Sequence, residues 1–145
     1  MNRRTRNRIY LWVIFLGLAN FVSYTVVYGY IGGDAKNGEV RDGRYFVRGH
    51  FIHIHFNDRE RETEVSRGTW IYSYLHSISI LPTMAAIIVS MLILARPHII
   101  ATMKEGFIGG QTLITIFATV VILIVGAITT WFILDFIRDL IHVGK

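Results

Sequence analysis

Three long stretches without charge constrain this chain more than any other feature of its sequence. Residues 9–31, 71–95 and 111–134 each hold 23 to 25 residues with no Asp, Glu, Lys or Arg. A bilayer core of roughly 30 Å needs about 20 helical residues to cross it, so each stretch is long enough to span a membrane. Helices of soluble proteins average only about 11–12 residues, which makes three buried helices of a soluble domain a poor alternative. The sequence therefore predicts an integral membrane protein with three transmembrane helices.

Composition and charge agree with this prediction. The chain has 145 residues, which is enough for one domain. They are 52% hydrophobic, a composition more apolar than that of a soluble domain, whose surface is mostly polar. The net charge of +5 is not gathered in one stripe, so a nucleic-acid partner is not predicted. Arg3, Arg4, Arg6 and Arg8 instead predict an anchor that fixes topology against anionic lipid headgroups. The absence of cysteine excludes disulfides, iron–sulfur clusters and thiolate chemistry.

The predicted organisation is all-α in the membrane, with one small β unit outside it. The segments are a basic N-terminal segment at 1–8, transmembrane helix 1 at 9–31, an extramembrane β-rich loop at 32–69, transmembrane helix 2 at 70–95, a short connector at 96–110, transmembrane helix 3 at 111–134 and an amphipathic interfacial tail at 135–145. Helix 1 is expected to remain as an uncleaved anchor, because no small-residue cleavage site closes it. Pro82 is expected to kink helix 2, and Pro97 is expected just past its end.

The loop between helices 1 and 2 has the pattern of a small antiparallel sheet. Asp42-Gly43 lies between two β-compatible runs, and this pair suits a two-residue hairpin turn in which both residues need positive φ. Residues 52–56 alternate between apolar residues and histidine, which predicts a third strand, and residues 64–67 favour another short one. A sheet this small is marginal alone. We therefore expect the sheet to be stabilised by packing against the membrane surface, a second copy of the chain or a partner.

Two histidines of the loop form the sharpest local motif. His53 and His55 project to the same side of a strand, and neutral imidazoles so placed can hold Zn²⁺, Cu²⁺ or Ni²⁺. A third ligand is required. His50 points to the opposite face of a regular strand, and Glu62, Glu64 or His76 could reach the site only through tertiary folding. The alternative interpretation is a solvent-facing strand whose polar positions happen to be histidine. No other cofactor is predicted.

Small and polar residues recur at helical spacing on all three spans. They are Gly17, Asn20, Ser23 and Tyr24 on the first, Tyr72, His76, Ser79, Thr83, Ala86 and Ser90 on the second, and Thr112, Thr115, Thr119, Gly126 and Thr129 on the third. Because such residues let membrane helices approach closely, we expect the three stripes to face one another. Tyr24, His76 and Thr129 lie at similar depth and predict an intramembrane polar cluster. Its role is either a helix-packing hydrogen bond or a proton-sensing or ligand site. A haem would need a second axial ligand, and no other histidine lies within a span, so a haem held by two histidines of this chain is not predicted.

Orientation follows from the charges that flank the spans. The first eight residues hold four arginines and no acid, and the first helix usually dominates insertion, which favours a cytoplasmic N-terminus. The raw count of Lys and Arg favours the opposite orientation, but most of the opposing charges lie in a loop expected to fold. We predict that the 32–69 loop and the C-terminus lie on the outer side, most simply of a bacterial inner membrane.

No catalytic motif accompanies these features. The sequence lacks Gly-x-Ser-x-Gly, a P-loop, His-Glu-x-x-His and a dinucleotide fingerprint, so a non-enzymatic role is predicted. The leading interpretation is a protein that acts by binding another protein, as an accessory subunit of a membrane complex or as an immunity- or inhibitor-type protein, or through homo-oligomers. The alternatives are metal binding by His53 and His55 and an oligomeric channel lined by the threonines of the third span.

Overall fold

The computed structural model describes residues 2–49, 62–103 and 108–142. Its elements are helix α1 (Arg3–Ile31), strands β1 (Asp34–Arg41), β2 (Arg44–Arg48) and β3 (Glu62–Val65), and helices α2 (Arg67–Thr102) and α3 (Gly110–His142). All three helices are long and apolar enough to cross a membrane, and most of their apolar surface is exposed, as contact with lipid requires. The predicted arrangement of three long helices, with a small sheet between the first and the second, is confirmed.

Helix α1 ends at the paired glycines that the sequence marks as a break. The N–H groups of Gly32 and Gly33 both donate to the carbonyl oxygen of Tyr28, at 3.1 and 3.0 Å. Both glycines have positive φ, at 82° and 151°, which side chains disfavour. A Cβ atom on Gly33 would lie 2.3 Å from the backbone carbon of Arg48, so the end of α1 is packed directly against β2.

The sheet is antiparallel, with β2 between β1 and β3. Arg41 pairs with Arg44 across the turn, and Asp42 and Gly43 have φ of 51° and 72°, so the predicted hairpin is confirmed. β3 covers Glu62–Val65, which begins two residues before the segment predicted at 64–67. The strand predicted at 52–56 lies outside the described residues.

Helix α2 is longer than predicted. Ser66 caps its start, since its hydroxyl oxygen accepts the N–H of Thr69 at 3.1 Å. The prediction that α2 stops before Pro97 is wrong, because both Pro82 and Pro97 lie inside the helix. A Cβ atom on Gly110 would lie 2.8 Å from the carbonyl oxygen of Ile99, so the start of α3 packs tightly on the last turn of α2. That packing stabilises the turn and offsets the backbone hydrogen bond that a proline removes.

The contacts of the chain divide it into two compact units. The helical unit comprises Met1–Asn20 with Leu81–Ile128, and the sheet unit comprises Phe21–Ile80 with Thr129–Lys145. The core of the sheet unit is aromatic and aliphatic, and its buried members are Ala35, Tyr45, Val47, Trp70, Tyr74 and Ile78. Phe136 and Leu140 pack against this core. The predicted amphipathic tail is therefore a continuation of α3, with one side on the sheet unit.

The polar stripes of α1 and α2 meet in the helical unit, as predicted. The side-chain amide of Asn20 donates to the hydroxyl of Thr83 at 3.2 Å, and Gly17 is buried where a Cβ atom would lie 2.7 Å from Ile87. The prediction for α3 holds in part, because Thr115 and Thr119 line a cavity together with residues of α1 and α2, whereas Thr112 and Gly126 are exposed and line no cavity with them among the described residues. The hydroxyl of Thr115 donates to the carbonyl oxygen of Gln111 at 3.0 Å, so it is satisfied by its own helix.

Candidate functional site

Three consecutive residues at the start of β1 connect the sheet to all three helices of the sheet unit. Asp34 accepts a hydrogen bond from the Tyr24 hydroxyl of α1 at 2.8 Å. The N–H of Ala35 donates to the Ser73 hydroxyl of α2 at 3.0 Å. The next residue, Lys36, pairs with a carboxylate of α3, as described below. This connection was not predicted from the sequence. Its signal is the position of two acidic residues, Asp34 and Asp135, just beyond the ends of charge-free stretches.

A break in the ladder between β1 and β2 makes these contacts available. Asp34 pairs with Arg48 and Glu39 with Phe46, which leaves the residues between Asp34 and Glu39 out of register with β2. A bulge of this kind turns backbone groups away from the neighbouring strand. The Ala35 N–H therefore reaches α2.

Asp34 is almost fully buried, with 5% of its surface exposed. Besides the Tyr24 hydroxyl, its carboxylate accepts the backbone N–H of Asn37 at 2.8 Å and the Asn37 side-chain amide at 3.0 and 3.1 Å. A buried carboxylate is costly unless hydrogen bonds compensate for the lost hydration. These donors supply that compensation and fix the start of β1 beside α1.

Lys36 and Asp135 form the contact with α3. The Lys36 ammonium lies 2.9 Å from a carboxylate oxygen of Asp135, and the Tyr74 hydroxyl donates to the same oxygen at 3.2 Å. Arg138 pairs with the other oxygen of Asp135. The Lys36 ammonium also lies 4.9 Å from the centre of the Phe132 ring, a cation–π distance. The helix end and the strand are thus held by a half-buried network of charges.

Trp70 is the centre of the packing beneath the sheet. It is 1% exposed, and its ring lies 5.7 Å from Tyr45, 5.0 Å from Tyr74 and 6.1 Å from Phe136 between ring centroids. Aromatic pairs at such distances add stability beyond the area they bury. Strand β2, helix α2 and helix α3 each contribute one of the three rings that surround Trp70.

The opposite side of the sheet carries a regular pattern of charge around one aromatic ring. We define the outer face by the side chains of Glu39, Arg41, Arg44, Phe46, Arg48, Glu62 and Glu64. Tyr45 and Val47, which alternate with them on β2, are buried in the core. The Arg41 guanidinium lies 5.5 Å from the centre of the Phe46 ring. Arg44 pairs with Glu64 at 3.6 Å, and Glu62 pairs with both Arg41 and Arg48.

The predicted polar cluster is brought together in part. The Tyr24 ring lies 5.5 Å from the His76 ring, edge to face, and Tyr72 lies at the same distance on another side of His76. The Tyr24 hydroxyl, however, donates to Asp34. The His76 Nδ1 atom and the Thr129 hydroxyl are buried and have no hydrogen-bond partner among the described residues. A joint role for Tyr24, His76 and Thr129 remains a prediction.

The other predicted site residues have different outcomes. Arg3, Arg4 and Arg8 are exposed, whereas Arg6 is partly buried and lies in the helical unit with Arg96. His53 and His55 lie outside the described residues. Within residues 2–49, 62–103 and 108–142, no group of three or more His, Asp or Glu side chains is placed to hold a metal ion. The metal hypothesis therefore also remains a prediction.

Comparison with known proteins gives this chain no relative from which a role can be carried over. No protein-family model, no curated protein and no solved structure matches it. Its function therefore has to be argued from the chemistry of its own residues.

Proposed function

We propose that this chain is a small polytopic membrane protein that acts by binding another protein through the outer face of its sheet. The observation that supports this proposal most strongly is the composition of that face, where Phe46 lies among three exposed or half-exposed arginines. Aromatic residues and arginine are enriched at protein interfaces, and arginine is common among the residues that dominate binding. The partner would make this chain an accessory subunit of a membrane complex or an inhibitor of one.

The fixed position of the sheet supports the proposal. Asp34, Ala35 and Lys36 each contact a different helix, and the aromatic core around Trp70 supports β2 from below. A surface that is already ordered loses little conformational entropy on binding. The outer face is therefore preorganised for a partner, although the described part of the sheet has only three strands.

The charges of the outer face supply specificity. Glu39, Glu62 and Glu64 balance Arg41, Arg44 and Arg48, so the face has no net charge but a defined pattern of both signs. Complementary patterns of charge select a partner and fix its register more than they raise affinity. A partner is expected to present acidic groups toward the exposed Arg44 and an apolar or aromatic side chain toward Phe46.

We further propose that the protein lies in a bacterial inner membrane with its N-terminus in the cytoplasm and the sheet on the outer side. The four arginines in its first eight residues support this orientation. Because the chain has no cysteine of its own, a single cysteine introduced at Arg3 or Arg44 is the only site in this protein that a maleimide can label. In intact cells, a membrane-impermeant maleimide should label the R44C variant and not the R3C variant. Labelling of R3C alone would reverse the orientation.

A charge-swap experiment tests the outer face. R44E places two acids together, and the R44E/E64R double variant restores an opposite-charge pair with its direction inverted. If a partner recognises the arrangement of charges on the outer face, it should no longer co-purify at native expression with either variant. The double variant still presents an acid at position 44 and a base at position 64, the reverse of the natural arrangement. If the pair serves only the sheet itself, the double variant recovers everything that the single variant lost.

Two results would overturn the proposal. One is full recovery of partner binding in the R44E/E64R double variant. The other is extraction of the unmodified chain into nanodiscs at native expression with no stoichiometric protein partner in the intact-assembly mass spectrum. An E64R single variant is the matched control for charge reversal on the neighbouring strand, and it should also lose the partner.

A further inference from the structure

The helical unit contains a cavity whose lining has two arginines at one end and mostly isoleucine, alanine and threonine along the rest. Its volume is about 370 Å³, and its wall is formed by Arg6 and Tyr10 of α1, Ile93 and Arg96 of α2, and Gln111, Ile114, Thr115, Ala118, Thr119 and Ile122 of α3. A second cavity of about 210 Å³ shares Arg6, Ile93 and Arg96 with the first. Both arginines therefore line the same two spaces.

The two guanidinium groups are incompletely satisfied within the described part of the chain. The Arg6 Nε atom is buried there without a hydrogen-bond partner. The Arg96 Nε–H donates to the side-chain oxygen of Gln111 at 2.8 Å, which orients its guanidinium and uses one of the five N–H groups that arginine has. Among the residues that the structure describes, no carboxylate lines either cavity. Two cations beside one space favour an anion in that space.

The residues of α3 that line the cavity extend over a length that suits a chain rather than a small ion. The lining residues of α3 run from Gln111 to Ile122, which at 1.5 Å per residue is a length of about 16 Å. Along that length Ile114, Ala118 and Ile122 recur on one side of the helix. The arginines lie just outside two charge-free stretches, since Arg6 precedes residue 9 and Arg96 follows residue 95. A cation pair at the boundary and an apolar groove leading into the span match a headgroup and its acyl chain.

We propose that this cavity binds one anionic phospholipid, with the phosphate held by Arg6 and Arg96 and an acyl chain along Ile114, Ala118 and Ile122. Basic pockets between transmembrane helices bind anionic headgroups in other membrane proteins, by the same combination of charge and depth. Arginine suits this role because its planar fork donates two parallel hydrogen bonds to a phosphate. The site is independent of the proposed protein partner, since none of its residues belongs to the outer face.

Native mass spectrometry of the full-length protein from mixed vesicles tests the proposal. The vesicles contain equal amounts of dioleoyl phosphatidylglycerol and dioleoyl phosphatidylcholine, and the measured quantity is the ratio of the two lipids that remain bound. The unmodified protein should retain one phosphatidylglycerol molecule in preference. The R6Q/R96Q variant should lose about tenfold or more of that preference, given the usual contribution of a basic residue near a membrane surface.

Two matched variants separate a built site from general attraction. R3Q/R4Q removes the same charge from exposed residues of the same helix and should keep the preference. A118F fills the groove while leaving both arginines, and it should release the lipid even if R6Q/R96Q fails to fold. Equal loss of preference in R3Q/R4Q and R6Q/R96Q would overturn the proposal, and so would retention of the lipid in A118F.

A free anion is the remaining alternative for the same chemistry. Inorganic phosphate added to the protein in phosphatidylcholine nanodiscs should leave the thermal unfolding midpoint unchanged, whereas phosphatidylglycerol should raise it. If phosphate alone raises the midpoint as much as phosphatidylglycerol does, the occupant is an ion and the lipid proposal is wrong.

Discussion

The sheet unit and the helical unit differ in the surroundings of the charged side chains near the ends of their charge-free stretches, although the sheet unit also holds buried atoms without a partner among the described residues, such as His76 Nδ1. In the sheet unit, the buried Asp34 and the half-buried Asp135 have donors on neighbouring elements, and Trp70 is enclosed by three aromatic rings. In the helical unit, the arginines line open cavities, and the Arg6 Nε atom has no hydrogen-bond partner in the described part of the chain. The first pattern is typical of structure and the second of a place that receives a ligand.

This difference distinguishes charged residues with a structural role from charged residues that bind a ligand, which the sequence alone could not do. A charged residue near a membrane boundary can stabilise the fold, or it can bind something outside the chain. Lys36 has its partners within the chain, so its replacement should destabilise the protein. Arg6 lines a space that the chain leaves open, so its replacement should change lipid binding with little effect on folding. The predictions below test this contrast from the largest expected effect to the smallest.

Replacement of Trp70 by alanine should give the largest loss of stability. The ring is 1% exposed and its removal leaves a cavity among Tyr45, Tyr74 and Phe136, so the expected cost is about 3–5 kcal/mol. Reversible unfolding in mixed micelles, followed by circular dichroism, measures it. Trp12 is the control, because it is 61% exposed and its replacement should cost less than about 1 kcal/mol. Equal costs at the two positions would show that Trp70 is not the centre of the packing beneath the sheet.

Replacement of Asp34 by alanine should cost about 2–3 kcal/mol. The Tyr24 hydroxyl and the Asn37 amide would lose their acceptor in a buried place, and hydrogen bonds to charged groups are worth about 1.5–3 kcal/mol. D34N is the control, because its amide oxygen can still accept the Tyr24 proton, and it should cost less. Hydrogen exchange of the Asn37 N–H should accelerate in D34A. An unchanged exchange rate would show that Asp34 does not fix the start of β1.

A pair of glycine replacements tests helix contact within the helical unit. G17L should cost about 1–3 kcal/mol, because a side chain at this position meets Ile87 and Thr83 at 2.7 and 3.2 Å. G126L is the matched control on α3, where an added Cβ atom has no neighbour within 4 Å, and it should be nearly neutral. The unfolding free energy in mixed micelles measures both. The opposite order would contradict the α1–α2 contact.

The hydrogen bond between Asn20 and Thr83 should give the smallest effect. Such bonds between membrane helices average about 0.6 kcal/mol, because polar groups also find partners in the unfolded state within the membrane. A double-mutant cycle with N20A and T83V isolates the pair from the other contacts of each residue. A coupling energy indistinguishable from zero would mean that close packing at Gly17, and not this bond, holds the two helices together.

The helices and the hairpin were predictable because their signals are local. The absence of charge over residues 9–31 needs no knowledge of other elements, and neither does the pair Asp42-Gly43, whose positive φ values the structure confirms. The end of α2 was predicted wrongly, because the turn beyond Pro97 is stabilised by Gly110, a residue distant along the chain from the proline. A prediction based only on the position of the proline does not take that tertiary contact into account.

The sites were less predictable, because they depend on which elements come together. The stripe of threonines on α3 has the composition of a packing face, yet Thr115 bonds to its own helix and lines a cavity instead of packing closely. Asp34 and Asp135 looked like flanking charges, and their partners Tyr24 and Lys36 are apparent only in three dimensions. Tyr24 and His76 were chosen from the polar stripes because they lie at similar depth in their predicted spans, and their rings do come into contact. Depth within a span follows directly from the position of a residue in the sequence.

Site-specific photo-crosslinking in living cells tests the proposed function most directly. A photoreactive phenylalanine analogue replaces Phe46 at the centre of the outer face, and a control places it at Val26, which is 65% exposed on α1. If the outer face binds a protein, irradiation should give one discrete crosslinked product from position 46, and that product should be absent from position 26. A normally expressed and folded chain that gives no crosslink at position 46 would contradict binding through this face.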